Sequence, residues 1–483
     1  MAKLFMLVLL FFSSFSVAAQ DSPWLDLNME AFELIESGQL DRAKRLAETA
    51  LDSAAACLES GHPHLGIIKT TLGLIQMTRG DFNAADSCIR QGRLIMNNAP
   101  SEYDSWNALS FYAWGTILQS RGQYQTADSA YDRALSLVKK DSDISPFLKH
   151  SAGLNQSLID LAQGDTVTAV DQLNRLLSDL DATPDYYADV LKISCYVMLG
   201  DVENQQGGYS SADSLYRMAL ELSKSSPMDA LREESIRTRR GLLFEKAGDF
   251  PAAEVQLKQT LDLQLQKYDL LHPSVEKTLR HLSLVYDHQG KFEQADSLFE
   301  KLLTLYSQFP AHVQSSSGFS MRPAADYHRQ IPQVMRQSLE IRKNRLPMKS
   351  PAVIAALYRV GVMYEGRHQR AQADSLFRLT LALQKKTLGR NHPHLVRTLT
   401  SLADLYLNYS ARFPDWERFS FKETERYLQR VLAIIKRESG PLHPDLLPVY
   451  EQLQRLYQRE EQPEKTEEIN RAMVKIRAEH GVD

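Results

Sequence analysis

One short pattern recurs along this chain every 41 to 43 residues, and this period constrains the fold more than any other feature. The pattern is Gly, any residue, an apolar or aromatic residue, two further residues, and then Ala. Six clear copies begin at Gly38, Gly80, Gly122, Gly207, Gly248 and Gly290, and a weaker copy begins at Gly164. They close at Ala43, Ala85, Ala127, Ala212, Ala253 and Ala295, and at Ala169 in the weaker copy. Seven copies in phase indicate an internal repeat.

The spacing of apolar residues around the pattern predicts two helices in each repeat. After the alanine, apolar residues follow at helical intervals, as in Ala127, Tyr131 and Ala134, which places them on one helix face. A second apolar stripe precedes the glycine, for example at Leu279 and Leu282. The glycine ends the first helix because it adopts positive φ without steric cost, and the small alanine lets the two helices cross closely. Stacked hairpins of this kind form an all-α solenoid with one continuous core.

Composition agrees with a helical protein and excludes several other classes. Hydrophobic residues make up 43% and charged residues 24% of the 483, with only 22 glycines and 19 prolines. This excludes a disordered, collagenous or multi-span membrane protein. The net charge of −4 leaves no excess of positive charge to neutralise phosphates. We therefore expect no nucleic-acid partner.

The repeat resumes towards the carboxyl end in weaker copies. Ala373 opens a copy that matches the one at Ala295, and Thr424 and Thr466 take the place of the alanine in two further copies. The tripeptide Ala-Asp-Ser occurs at 85–87, 127–129, 212–214, 295–297 and 373–375. From the helical phase we expect its Asp and Ser to face outward, with little effect on stability.

Proline marks the entrance of five repeats, since it is pre-organised for the first helical turn. His-Pro occurs at 62–63, 272–273, 392–393 and 443–444, and Ser-Pro at 350–351. The proline usually stands 22 residues before the repeat's alanine or threonine, but Pro393 stands 31 before Thr424. That difference predicts a nine-residue insertion at about 410–418.

This signature resembles the tetratricopeptide repeat (TPR), and the 42-residue period with His-Pro resembles the kinesin-light-chain-type subclass. The resemblance covers residues 24–480 apart from a break at about 304–350. It implies a right-handed superhelix whose concave groove, lined by the first helices, holds peptides or partner proteins. Members that bind peptides often carry Asn at one first-helix position, but only Asn155 matches it here. The matching residues in the other repeats are Thr71, Ala113, Met198, Arg239, His281, Arg359, Ser401 and Gln452.

These features divide the chain into a signal segment (1–19), an array of about seven repeats (24–303), an irregular stretch (304–350) and about three further repeats (351–480). The irregular stretch contains a loop-like Ser315–Gly318 cluster, followed by a candidate helix from Tyr327 to Leu346. It is either a decayed repeat, an insertion folded on the outside of the array, or partly disordered. The sequence leaves these alternatives open.

The first nineteen residues are typical of a secretory signal peptide. Lys3 precedes an apolar run, and Val17 and Ala19 fit the small-residue positions before a cut at Gln20. The alternative is a membrane anchor, but the run is short for a span of about 20 residues. No cysteine follows the cut to carry a lipid. We therefore expect an exported protein, periplasmic or secreted, without membrane insertion after cleavage.

No motif for catalysis, cofactor or metal binding is present. HExxH, GxGxxG, P-loop and GxSxG motifs are missing from the sequence. The histidine pairs at 62/64 and 392/394 lie at helix entrances, which favours a structural role. Three scattered cysteines exclude a disulfide framework, although a bridge between Cys57 and Cys88 stays open. We expect no enzyme, no cofactor and no metal.

The remaining candidates for function are first-helix residues that the core does not use. They are Tyr112, Asn155, Arg239, Lys246, Lys277, Arg280, His281, Arg359 and Arg397. The middle of this set is basic, which favours a protein or peptide partner with an acidic segment or a carboxylate. The predicted function is a non-enzymatic interaction scaffold. The alternative is a structural subunit of an envelope or secretion assembly, bound through its ends or loops, and the oligomeric state stays open.

Overall fold

The computed structural model of the chain describes residues 22–36, 39–138, 145–182, 186–224, 230–270, 272–308, 322–410 and 414–481. All regular structure in these ranges is helical, with 21 α-helices, one 3₁₀ turn at Ser101–Tyr103 and no strand. The predicted signal peptide (1–19) and the 315–318 cluster lie outside the described residues. The predicted all-α solenoid of helix–turn–helix hairpins is confirmed.

The chain divides into two compact units, with the boundary between Ile236 and Arg237. In the first unit, consecutive hairpins bury one apolar core that extends from Ala31 to Leu199. Its helices are α1 (Pro23–Glu36), α2 (Leu40–Cys57), α3 (Pro63–Arg79), α4 (Phe82–Met96), α5 (Asp104–Ser120), α6 (Tyr124–Leu137), α7 (Ser145–Gln163), α8 (Thr166–Asp181), α9 (Tyr186–Gln206) and α10 (Tyr209–Ser223).

The unit boundary falls within α11 (Ala230–Ala247), and the second unit continues with further hairpins. Its helices are α12 (Phe250–Leu265), α13 (Pro273–Gln289), α14 (Phe292–Gln308), α15 (Arg322–Arg345), α16 (Pro351–Gly366), α17 (Arg370–Leu388), α18 (Leu395–Ser410), α19 (Pro414–Ser439), α20 (Leu446–Arg459) and α21 (Pro463–His480). Up to α14, each repeat consists of an odd-numbered helix and the even-numbered helix that follows it. Helix α15 is outside this pairing. From α16 onward, each repeat consists of an even-numbered helix and the odd-numbered helix that follows it.

The turn between the two helices of a repeat requires a left-handed residue. The glycines at 80, 122, 164, 207, 248 and 290 all have φ between 74° and 89°, as the pattern predicted. In two later repeats the same turn position is occupied by His368 (φ 58°) and Glu461 (φ 55°), which are the non-glycine residues of positive φ in the described chain. The turn geometry is therefore kept where the glycine has been lost.

The close crossing of the two helices depends on two small residues rather than one. The alanines at 43, 85, 127, 169, 212, 253, 295 and 373 are fully buried. The large side chain four residues later packs on a glycine of the first helix, which the sequence analysis did not identify. A Cβ built on Gly115 would lie 2.7 Å from Tyr131 Cε1, and one on Gly361 would lie 2.6 Å from Phe377 Cε1. The crossing leaves no room for a side chain at these positions.

The Asp of Ala-Asp-Ser does not face outward, so that expectation is wrong. Its carboxylate lies against the first helix of a following repeat. Asp86 Oδ2 accepts from Arg121 Nη1 at 2.8 Å, and Asp128 Oδ1 accepts from Gln156 Nε2 at 2.7 Å. The aspartate therefore ties neighbouring hairpins together, which explains why this polar detail recurs.

The irregular stretch contributes a helix to the core. Helix α15 covers the segment predicted as helical, and its Ile331, Val334 and Met335 are buried with residues of α13, α14 and α16. These residues are therefore not part of an insertion folded on the outside of the array. Residues 309–321 lie outside the described part.

The histidines of the His-Pro pairs act as helix caps. The backbone N–H of His64 donates to His62 Nδ1 at 3.2 Å, and that of Ser274 donates to His272 Nδ1 at 3.3 Å. The pair at 392/394 repeats this geometry.

Of the predicted insertion, residues 411–413 lie outside the described residues, and α19 begins at Pro414. Cys57 and Cys88 are free thiols, so the open question of a bridge is answered against it.

Candidate functional site

A groove of about 950 Å³ lies on the first helices α16 and α18 of the second unit. It continues to the start of α14, the end of α17 and the loop at His392–His394. Its apolar wall is made by Pro351, Ile354, Ala355, Leu388 and Val396. The first helices provide this surface because their opposite face packs on the second helices. The close contact between Gly361 of α16 and Phe377 of α17 shows this packing. The groove is large enough for several residues of an extended chain.

The floor of the groove contains buried polar atoms without partners. Arg359 is 2% exposed, and its Nη1 binds Asp296 Oδ1 at 2.6 Å, but its Nη2 has no hydrogen-bond partner. Thr398 Oγ1 and Gln384 Oε1 are also buried without partners. A buried donor or acceptor left unpaired costs about 1–3 kcal/mol, so these atoms need an explanation.

The rim of the groove is crossed by an ion pair. The Arg397 guanidinium binds both oxygens of Glu300 at 2.9 and 3.0 Å, and lies 4.7 Å from the ring centre of Tyr358. The hydrogen bond to Glu300 raises the pKa of Arg397. The Tyr358 hydroxyl is 2.9 Å from Ser401 Oγ, and burial raises its pKa. Arg397 and Glu300 are both about half exposed, so a ligand can displace either partner at low cost.

A buried charge network holds the floor in place from behind. Arg342 of α15 is fully buried, and its Nη2 lies 2.6 Å from Asp287 Oδ1 and 2.7 Å from Asp296 Oδ1. Asp296 in turn binds Arg359, whose guanidinium lies 4.7 Å from the Phe299 ring centre. Helix α15 therefore fixes the position of Arg359 through Asp296. The sequence did not indicate this role for the irregular stretch.

The basic residues predicted on α11 and α13 form a second surface in the same unit. Lys277 keeps much of its surface exposed, but partial desolvation of its ammonium group, with the nearby charges of Arg239 and Arg280, lowers its pKa. Arg280 is only 16% exposed, and it binds Glu276 Oε1 at 2.9 Å and Gln330 of α15. The structure therefore brings these three cations together, and the carboxylate of Glu276 lies among them.

His281 lies against a carboxylate of the neighbouring first helix. Its Nδ1 is 2.8 Å from Glu245 Oε2, which links α13 to α11. Lys246 is exposed close to the end of α11. The predicted roles of both residues in binding stay predictions.

Tyr112 and Asn155 are not binding-surface residues, which corrects the prediction for both. Tyr112 is 1% exposed and Asn155 is 6% exposed. Asn155 Nδ2 donates to the Tyr112 hydroxyl at 2.9 Å and to the Tyr131 hydroxyl at 3.2 Å. The three side chains join two adjacent hairpins in the core. Tyr358 and Ser401 stand at the same repeat positions and make the same kind of contact in the second unit.

Sequence reasoning identified Arg359 and Arg397 but missed their surroundings. Glu300, Gln384 and Thr398 come from three different helices, and no motif joins them. Tyr358 had a signal, because it occupies the repeat position of Tyr112. Within the described ranges, no three His, Cys, Asp or Glu side chains are placed to share a metal ion. The same ranges contain no helix with the length and apolar character to span a membrane.

The hairpins, their buried alanines and their left-handed turns define a helical-repeat solenoid protein. Two models described as tetratricopeptide repeat match residues 232–308 and 353–394. A third, described as Cohesin loading factor, matches residues 29–232. Residues 232–308 and 353–394 therefore contain tetratricopeptide repeats.

The similar proteins are distant in sequence. Protein KINESIN LIGHT CHAIN-RELATED 2 of Arabidopsis thaliana is 20% identical over 307 residues, which are 54% of this chain and 45% of that protein. The chain thus spans about half the length of that relative. The apo form of RapI is 15% identical, covers 76% of this chain and 98% of its own, and has a TM-score of 0.47. NprR in complex with its cognate peptide NprX is 15% identical, covers 66% and 89%, and has a TM-score of 0.42.

Proposed function

We propose that the chain is a non-enzymatic interaction scaffold that holds an extended segment of a partner protein in the groove on α16 and α18. The observation that carries this proposal is an apolar wall beside the half-exposed pair of Arg397 and Glu300, which a peptide can reach. Arg397 can only donate hydrogen bonds, and the Glu300 carboxylate can only accept them. A peptide main chain offers both a C=O and an N–H at short spacing, and apolar side chains for the wall.

We further propose that the repeats belong to the kinesin-light-chain-type subclass. The 42-residue period and the four His-Pro caps support it, together with the distant plant relative. As a scaffold, the chain catalyses no reaction. The ion pairs of Arg342 and Arg359 then serve to hold the groove in shape. The groove mutations below separate this role from that of an assembly subunit bound through its ends or loops.

The acidity of the partner is a further part of the proposal, supported by the cluster of Arg239, Lys277 and Arg280. An acidic stretch of the same partner would pair with these cations while an apolar stretch occupies the groove, since both surfaces belong to the second unit. Binding should then weaken with added salt, because exposed charges are screened over about 8–10 Å at physiological ionic strength.

Export also stays a proposal, supported by the layout of residues 1–19. Cleavage after Ala19 would leave Gln20 as the first residue of the mature chain. Amino-terminal sequencing of the protein from its native host tests this. Recovery from the cytoplasmic fraction of a chain that still begins with Met1 would contradict export.

The test of the groove begins with the full chain and a displayed library of random 12-residue peptides. Selected peptides are then titrated against Ala355→Arg, which fills the groove, and against Ala371→Arg on the exposed face of α17. We expect Ala355→Arg to abolish binding and the matched control to bind as wild type. Equal binding by both variants, or no enrichment of any peptide, would contradict the proposal.

A further inference from the structure

One position of the repeat breaks its own pattern in the first unit. Eight residues after the repeat's alanine stands an apolar residue in every copy except the second, which has Arg93. The apolar residues are Leu51, Leu135, Leu177, Leu220, Leu261, Leu303, Leu381, Leu432 and Val474. Placing a guanidinium where a leucine packs costs desolvation. Such a cost suggests a use for the charge.

Two aromatic rings of the next hairpin hold the Arg93 guanidinium. Its central carbon lies 3.7 Å from the ring centre of Trp114 and 4.1 Å from that of Phe111. Both rings belong to α5, and Arg93 belongs to α4. At these distances both rings make cation–π contacts with the guanidinium, and its N–H groups remain for hydrogen bonding. Burial lowers the pKa of Arg93 to about 10, a value at which it is still charged at neutral pH.

No carboxylate of the described residues forms an ion pair with Arg93. The nearby Arg90 shares Asp86 with Arg121, and Asp86 Oδ2 lies 2.7 Å from Arg90 Nη2 and 2.8 Å from Arg121 Nη1. Three arginines and one carboxylate leave an excess of positive charge. Arg93 Nε and the Trp114 indole N–H are both buried without a hydrogen-bond partner. The cluster therefore has unused donors as well as unbalanced charge.

We propose that Arg93, held against Phe111 and Trp114, is a binding site for a carboxylate group of an acidic protein segment. A carboxylate is planar and can bind a guanidinium through two parallel hydrogen bonds. The rings fix the side chain in advance, so little rotamer entropy is lost on binding. This site lies in the first unit, and it does not depend on the groove on α16 and α18.

The test uses the full chain and a dye-labelled hexaglutamate amide, followed by fluorescence anisotropy at low salt. Hexaglutamine amide serves as the uncharged probe, and tripolyphosphate as the phosphate probe. Arg93→Leu restores the residue of the other repeats. Arg175→Leu removes an arginine of the same unit that is 78% exposed, and serves as the matched control for loss of charge.

We expect hexaglutamate to bind wild type and the Arg175→Leu variant alike. Its affinity for Arg93→Leu should fall by at least about tenfold, the loss expected when one partner of a charged hydrogen bond is removed. Arg93→Leu should melt at the wild-type temperature or above. Trp114→Phe keeps the ring and tests the same site by a second route, with weaker binding expected.

Three outcomes overturn the proposal. Hexaglutamate that binds Arg93→Leu as tightly as wild type places recognition elsewhere. Binding of tripolyphosphate but not of hexaglutamate assigns the site to phosphate. No binding of hexaglutamate to wild type at low salt means that Arg93 only fills the space of a leucine.

Discussion

Replacement of Gly115 by alanine tests the packing on which the whole array depends. The added Cβ would lie 2.7 Å from Tyr131 Cε1 and 2.9 Å from Tyr131 Cδ1. Tyr131 cannot withdraw freely, because its hydroxyl donates to Gln119 Oε1 at 2.8 Å and its ring is fully buried. Overpacking of this kind costs about 1–3 kcal/mol, against a helix-propensity gain of about 1 kcal/mol. We expect Gly115→Ala to lower the free energy of unfolding by up to about 2 kcal/mol.

Gly153 provides the matched control, since it lies inside α7 with nothing within 4 Å of a built Cβ. Gly153→Ala should therefore gain the propensity term alone and stabilise the chain by about 0.5–1 kcal/mol. Urea unfolding followed by circular dichroism at 222 nm measures both variants. The two substitutions must move stability in opposite directions. If Gly115→Ala is as stable as Gly153→Ala, the close crossing at Tyr131 is not what the structure indicates.

Three further predictions concern the second unit. Burial, and then the carboxylate of Asp404, raise the pKa of Glu365 to about 7. Because the pKa of Glu365 is raised above its ordinary value of 4.5, the stabilisation is fully present below about pH 4.5 and is lost as the pH rises from there through about 7. Thermal melts should show Glu365→Gln gaining on wild type over this range and keeping the advantage above it. Arg342→Met should cost about 3–5 kcal/mol in urea unfolding, because it leaves Asp287 buried and unpaired, and the addition of Asp287→Asn should recover part of the loss. His368→Gly should raise the melting temperature, since the turn has φ of 58° and glycine adopts it at no steric cost.

The hairpin architecture could be predicted because its determinants are local and repeat. A left-handed turn needs glycine, and an apolar stripe at helical spacing needs a partner helix, so both leave a regular trace in the sequence. The glycines that accept Tyr131, Tyr216 and Phe377 also recur in phase, twelve residues before the alanine. This regularity does not by itself predict a contact, because glycine inside a helix lowers helix propensity and its packing role shows only when the side chain that contacts it is known.

The candidate site could be predicted only in part, because it joins residues far apart in sequence. Phase alone cannot distinguish an exposed first-helix residue from one that packs against the next hairpin. Tyr112 and Asn155 were misassigned for this reason, while the binding role of Arg397 stays a prediction. The fixing of Arg359 depends on Arg342, which lies in the irregular stretch where the period is lost. No local pattern relates residues brought together by stacking.

The most direct measurement of the central claim is hydroxyl-radical footprinting of the full chain with and without a selected peptide, followed by mass spectrometry. Bound peptide should reduce the oxidation of Leu388 and Val396, which line the groove and are at least partly exposed. Leu379, 40% exposed on α17, should be oxidised to the same extent in both states. Protection confined to Leu442 and Tyr450, at the carboxyl end of the array, would contradict the account and favour recognition through the ends.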